Sequence, residues 1–184
     1  MRHALKLHPD SSCPAVASIE VEVIRPSARA LVLTYLVTGD IGRLRLPPQA
    51  ASVRTDGLWR HTCFEVFVRA PGAAGYCEFN LAPSTQWAAY GFTGYRDGMT
   101  ALDLPAPPRI EARADAESLV LHAALDLDPT RGPADDGLWR LGLSAVIEDA
   151  DGAVAYWALA HPPGTADFHH PDCFALEVVA PGRS

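Results

Sequence analysis

Two neighbouring runs constrain this chain more than anything else in it. Cys63-Phe64-Glu65-Val66-Phe67-Val68-Arg69, within 59–69, and Tyr76-Cys77-Glu78-Phe79-Asn80-Leu81 set carboxylates and an amide at alternate positions among apolar residues, and Pro71-Gly72-Ala73-Ala74-Gly75 separates them. Successive strand side chains point to opposite faces. If the runs pair as an antiparallel hairpin with Glu65 opposite either Glu78 or Asn80, all three share a face with Cys63, Phe67 and Tyr76. The other face then carries Phe64, Val66, Val68, Cys77, Phe79 and Leu81, a natural core. Burying charge without a partner is costly, so the first face is either solvated or lines a ligand cleft.

The rest of the chain repeats strand signals. Residues 19–24 alternate apolar with Glu20 and Glu22, and 31–37 read as a buried strand, whereas 38–54 read as irregular. A strand is expected over 86–92, a long loop over 93–108, and a hairpin from 109–114 to 119–125 about Asp115-Ala116-Glu117-Ser118. A loop follows at 128–133. Segments 138–147 and 154–160 flank Asp149-Ala150-Asp151-Gly152, whose Asp-Gly step is a strong hairpin signal, and 174–179 closes the set. Roughly ten short strands without an amphipathic helix predict an all-β fold, a single antiparallel β-sandwich of immunoglobulin-like or jelly-roll-like type. No linker divides the chain, so 1–184 is expected to be one domain. The tetrapeptide Gly-Leu-Trp-Arg occurs at 57–60 and again at 137–140, each time after an aspartate. It marks either equivalent starts of two strands or a coincidence, and the residues that follow do not match.

Composition narrows the functional classes. The 184 residues are 48% hydrophobic, with 16 prolines and 14 glycines, which points to many turns around one core. A net charge of −7 disfavours nucleic acid and anionic membrane surfaces as partners. The first ten residues have no continuous apolar segment, and the expected location is the cytoplasm, with Cys13, Cys63, Cys77 and Cys173 reduced and buried. The register above places Cys63 and Cys77 on opposite faces, against a bridge between them. Oligomeric state is not legible.

A family resemblance rests on Leu58-Trp59, 62–67, 76–80, Pro83-Ser84, Gln86-Trp87-Ala88-Ala89-Tyr90, Phe92, Tyr95-Arg96 and Gly98-Met99, and later on Tyr156-Trp157-Ala158-Leu159, His161-Pro162 and 167–172. In these the chain resembles DOMON-like proteins related to family-nine carbohydrate-binding modules, over most of 57–179. The resemblance implies a β-sandwich whose relatives bind sugars or haem.

Sugar recognition needs aromatic faces for the apolar side of the ring and planar polar groups for its hydroxyls. Trp87, Tyr90, Tyr95, Trp59 and Tyr76 are candidate platforms, although core packing is the competing role for each tryptophan. Glu65, Glu78, Asn80, Gln86 and Arg96 are candidate hydrogen-bonding groups. Glu65 and Glu78 either face a ligand, pair with an arginine such as Arg96, or are simply exposed. Two facing carboxylates also raise glycoside hydrolysis, but neighbouring cross-strand positions are close and the resemblance is to binding modules. Haem, the alternative that the resemblance implies, would need Met99 as sulfur ligand with His161, His169 or His170. His169 and His170 sit in Asp167-Phe168-His169-His170-Pro171-Asp172-Cys173, the densest donor group, which lacks a recognised metal spacing. They are expected in a structured loop, in ligand contacts or, least of all, on a metal. No nucleophile elbow, phosphate loop or dinucleotide turn is present, and no catalytic residue is assigned. The expectation is a non-catalytic domain for a small ligand of carbohydrate class, without cofactor or metal, using Glu65, Glu78, Asn80, Gln86, Trp87, Tyr90, Arg96, His169 and His170. A structural or protein-interaction sandwich is the remaining alternative.

Overall fold

The computed structural model describes residues 2–127 and 137–181; the loop expected at 128–133 lies outside the described residues. Among the described residues, thirteen strands form two sheets. The first sheet has the order β1 (Arg2–Ala4), β3 (Val16–Ile24), β4 (Ala30–Gly39), β10 (Ser118–Asp126) and β9 (Arg109–Ala114). The second runs β2 (Lys6–Leu7), β12 (Val154–Ala158), β11 (Leu138–Glu148), β5 (Cys63–Arg69), β6 (Tyr76–Leu81), β7 (Trp87–Phe92) and β8 (Thr100–Ala101). β13 (Leu176–Val179) pairs the first part of β11, and β12 pairs its last part on the same edge. The strands beyond the ten expected are short: β1, β2 and β8 have two or three residues each, too few for a periodic signal. Only single turns of 3-10 helix occur among the described residues, one of them Leu58–Arg60.

The two sheets bury their faces differently. In β4, Leu31, Leu33, Tyr35 and Val37 are fully buried while the residues between them are half-buried, as expected for a sheet with one face on the core and one near solvent. In β5, every residue from Cys63 to Val68 is buried, and β6 is buried throughout. Their inner residues, Phe64, Val66, Val68, Cys77, Phe79 and Leu81, join the main core between the sheets. Their outer residues meet a second apolar cluster containing Phe67, Tyr76, Tyr90, Phe92, Phe168 and Phe174, so loops cover this face of the second sheet.

The hairpin register is one of the two anticipated. Glu65 lies opposite Asn80, and Phe67 opposite Glu78. The Tyr35 hydroxyl donates to the Glu65 carbonyl at 2.8 Å, joining the two sheets at the strand that carries the first carboxyl. All four cysteines are free and buried.

Burial separates the predictions for two apolar residues. Phe79→Ala should cost about 3–5 kcal/mol in urea denaturation, the usual range for emptying a packed aromatic site, whereas Ile24→Ala, half exposed on β3, should change stability by under about 0.5 kcal/mol.

Candidate functional site

The ladder across the second sheet explains the site. One row of paired residues on its outer face reads Ala158, Ser144, Glu65, Asn80 and Ala88, from β12 to β7, without a single large apolar side chain. The next row reads Gly142, Phe67, Glu78 and Tyr90. Over these rows lies a hollow of about 750 Å³ whose lining includes Glu65, Glu78, Tyr90, Arg96 and His169, with Trp59, Met99, Tyr156 and Phe168 around them.

Loops hold the polar wall in place. Thr93 N–H donates to the Asp97 carbonyl and Asp97 N–H to that of Gly94, closing a tight turn with Tyr95 and Arg96 at its tip. Gly98 leaves the turn at φ +62, where a Cβ would lie 2.1 Å from the Thr93 hydroxyl, so only glycine fits. Arg96 itself has φ +53, an uncommon conformation for a side-chain-bearing residue. Two hydrogen bonds, Nε at 3.2 Å and Nη2 at 2.7 Å, fasten its guanidinium to Asp167, which also accepts from the Tyr95 hydroxyl. The two loops are thereby stitched together over the outer face.

Hydrogen bonding also links Arg96, Tyr76 and His169. Arg96 N–H donates to the Tyr76 hydroxyl at 3.2 Å, and that hydroxyl lies 2.8 Å from His169 Nδ1. The hydroxyl can donate to Nδ1 while accepting from Arg96, and in that tautomer a neutral His169 carries its proton on Nε2, 3.7 Å from Glu78 Oε2. Burial, and then the charge of Arg96, pushes the His169 pKa down to about 4. Burial is also the main influence on the acids. It raises Glu65 well above the ordinary carboxylate value, reinforced by the charge of Glu78, while Ser144 Oγ at 3.1 Å from Oε2 and the charge of Arg96 pull it back. Glu78 is raised by burial and held back by the Asn80 amide, which donates to Oε1, and by Arg96. Burial thus raises both carboxyls above the ordinary carboxylate value.

The expected site residues divide. Glu65, Glu78, Tyr90, Arg96 and His169 line the hollow. Asn80 is fully buried behind them and orients Glu78. Trp87 is corrected: its side chain belongs to the main core, because β7 alternates and Tyr90, three residues on, takes the outer face. Gln86 precedes the strand and bonds Ser84 and Thr55, away from the lining. His170 accepts from the Asp172 N–H in a structured turn and meets the Tyr95 ring edge-on. Tyr95 is a brace on Asp167. Tyr156 and Phe168 received no site role from the sequence; Tyr156 had a readable signal, since it projects from β12 between the buried Ala155 and Trp157. Asp56, which accepts from the Tyr90 hydroxyl at 2.7 Å, comes from a loop with no such signal. Among the described residues no group of three or more His, Cys, Asp or Glu is placed to hold a metal ion.

No family model matches the chain, and no curated protein matches its sequence. Solved structures do share its fold. A Bacteroides uniformis protein with a provisional carbohydrate-binding assignment is 14% identical, over 94% of this chain and 83% of that one, with a TM-score of 0.67. A family 9 carbohydrate-binding module from Caldicellulosiruptor kristjanssonii in complex with cellotriose is 10% identical, over 89% and 74%, with a TM-score of 0.57. A family 9 module from the same organism in complex with glucose is 13% identical, over 95% and 81%, with a TM-score of 0.53. At these identities the likeness establishes the β-sandwich architecture.

The buried acid sets the pH response. A carboxyl whose folded-state pKa is raised contributes its stability fully below the ordinary carboxylate value and loses it as the pH climbs through the raised one. His169, with its pKa depressed to about 4, acts in the opposite sense and loses stability as the pH falls from its ordinary value of 6.5. Comparing the native chain with Glu65→Gln removes the histidine from the difference. In urea titrations from about pH 5 to about pH 9, the variant should gain on the native protein as pH rises, by up to about 1.4 kcal/mol per pH unit within the Glu65 window.

Proposed function

We propose that this protein is a non-catalytic carbohydrate-binding β-sandwich whose sugar sits in the hollow on the outer face of the second sheet. The observation that carries the reading is the pairing of an aromatic rim with a carboxyl floor. Trp59 is 48% exposed and Tyr156 37% exposed, both against the hollow, whereas solvent is largely excluded from Glu65 and Glu78 below them. Exposed aromatic faces suit the C–H face of a pyranose, and buried carboxyls, Arg96 and His169 suit its hydroxyls. The sugar complexes of the fold neighbours support the same ligand class.

Glycoside hydrolysis fits the geometry poorly. Its two carboxyls must flank the scissile bond, whereas Glu65 and Glu78 project from one face of adjacent strands and are held by Ser144 and Asn80. The residues do not fit haem either. His169 is engaged through Nδ1 by Tyr76 and faces Glu78 with Nε2, while His161 binds the Lys6 carbonyl through Nε2 at 2.8 Å. Met99 is 63% exposed at the rim, opposite a floor of carboxyls.

A glycan screen followed by titration calorimetry tests the reading. Trp59→Ala and Tyr156→Ala should each weaken the bound glycan about tenfold, the scale of a lost aromatic contact, with the melting temperature within about 2 °C of the native value. Full affinity in both variants would remove the hollow as the binding site.

A further inference from the structure

We propose that the hollow selects sugars carrying a free amino group, whose ammonium sits against Glu78 and Glu65. The inference rests on the carbohydrate reading above and adds the charge of the ligand. Glu65 is 3% exposed and Glu78 6% exposed, yet both line the hollow. Their hydrogen-bond partners are neutral, the Ser144 hydroxyl and the Asn80 amide, and among the described residues neither makes an ion pair with a lysine or arginine. The Ser144 hydroxyl meets the Glu65 carboxyl at Oε2.

The cations nearby are committed elsewhere. Arg96 is clamped on Asp167, Arg54 pairs with Asp56 at 3.0 Å, and Arg60 lies over the exposed Trp59 ring, 5.2 Å from its centroid. His169 is kept uncharged by burial and the Arg96 charge. Arg96 reaches both acids only through its charge, without an ion pair to either among the described residues, and a buried carboxylate without a cation in contact is unfavourable. An ammonium group supplies a positive charge together with three donors, where a sugar hydroxyl has one. Its arrival also favours the ionised form of the carboxyls it meets.

Three trimers that differ only at C2 test this: β-1,4-linked glucosamine, its N-acetylated form and cellotriose, titrated calorimetrically at physiological salt to screen long-range attraction to the acidic surface. The glucosamine trimer should bind at least about tenfold more tightly than either neutral trimer, a difference of about 1.4 kcal/mol. Glu78→Gln and Glu65→Gln, which keep shape and hydrogen-bonding capacity, should each shrink that preference to about twofold; should one fail to fold, the other carries the test. Equal or tighter binding of cellotriose would overturn the amino-sugar inference and leave the carbohydrate reading intact. A preference that survives in the folded glutamine variants would also overturn it, since the selecting charge would then lie elsewhere. Absence of binding by the glucosamine trimer overturns it as well, and the wider glycan screen then decides the carbohydrate reading separately.

Discussion

The pairing of β5 with β6, in the register that sets Glu65 across from Asn80, is the constraint on which the rest depends. It sorts six apolar side chains into the space between the sheets and turns two carboxyls and an amide to the other side. A shift of one residue would invert both sets and put the acids in the core. The Tyr35 hydroxyl on the Glu65 carbonyl and Ser144 on the Glu65 carboxyl fix the same strand from two directions.

Given that register, the outer face needs a cover. An antiparallel sheet can leave one face in water, and the first sheet does so. The second sheet does not, because Phe67, Tyr76, Tyr90 and Phe92 project outward with the acids. Loops bearing Phe168 and Phe174 close over these aromatics, and the Arg96–Asp167 clamp holds the loops together. The cover leaves a hollow over Glu65 and Glu78. Apolar burial and polar concentration thus meet on one surface, and burial in turn raises the carboxyl pKa values and depresses that of His169.

Several features were legible because they are local. Period-two patterns and Gly, Pro and Asp turns marked most strands, and alternation within two short runs identified the acids as a shared face. Other features were not. Trp87 and Trp59 look alike as candidate platforms, yet one packs in the core and the other stands at the rim. The repeated Gly-Leu-Trp-Arg makes the same point: at 57–60 it forms a 3-10 turn with an exposed tryptophan, and at 137–140 it opens β11 with Trp139 only 1% exposed under the Arg25 guanidinium. One sequence of four residues takes two structures because packing over long chain separations outweighs local preference.

By itself, then, the order of residues determined an all-β chain, where its strands lie, and that Glu65, Glu78 and Asn80 stand apart from the core, since each follows from alternation and turn chemistry acting over a few residues. Only the tertiary structure decided which of two registers forms, that Asn80 supports Glu78 from behind, and that Trp59, Tyr156 and Phe168 surround the acids. Those residues come from segments about a hundred positions apart in places, and their meeting depends on which loops cover the second sheet, a matter of packing between distant parts that no local pattern encodes.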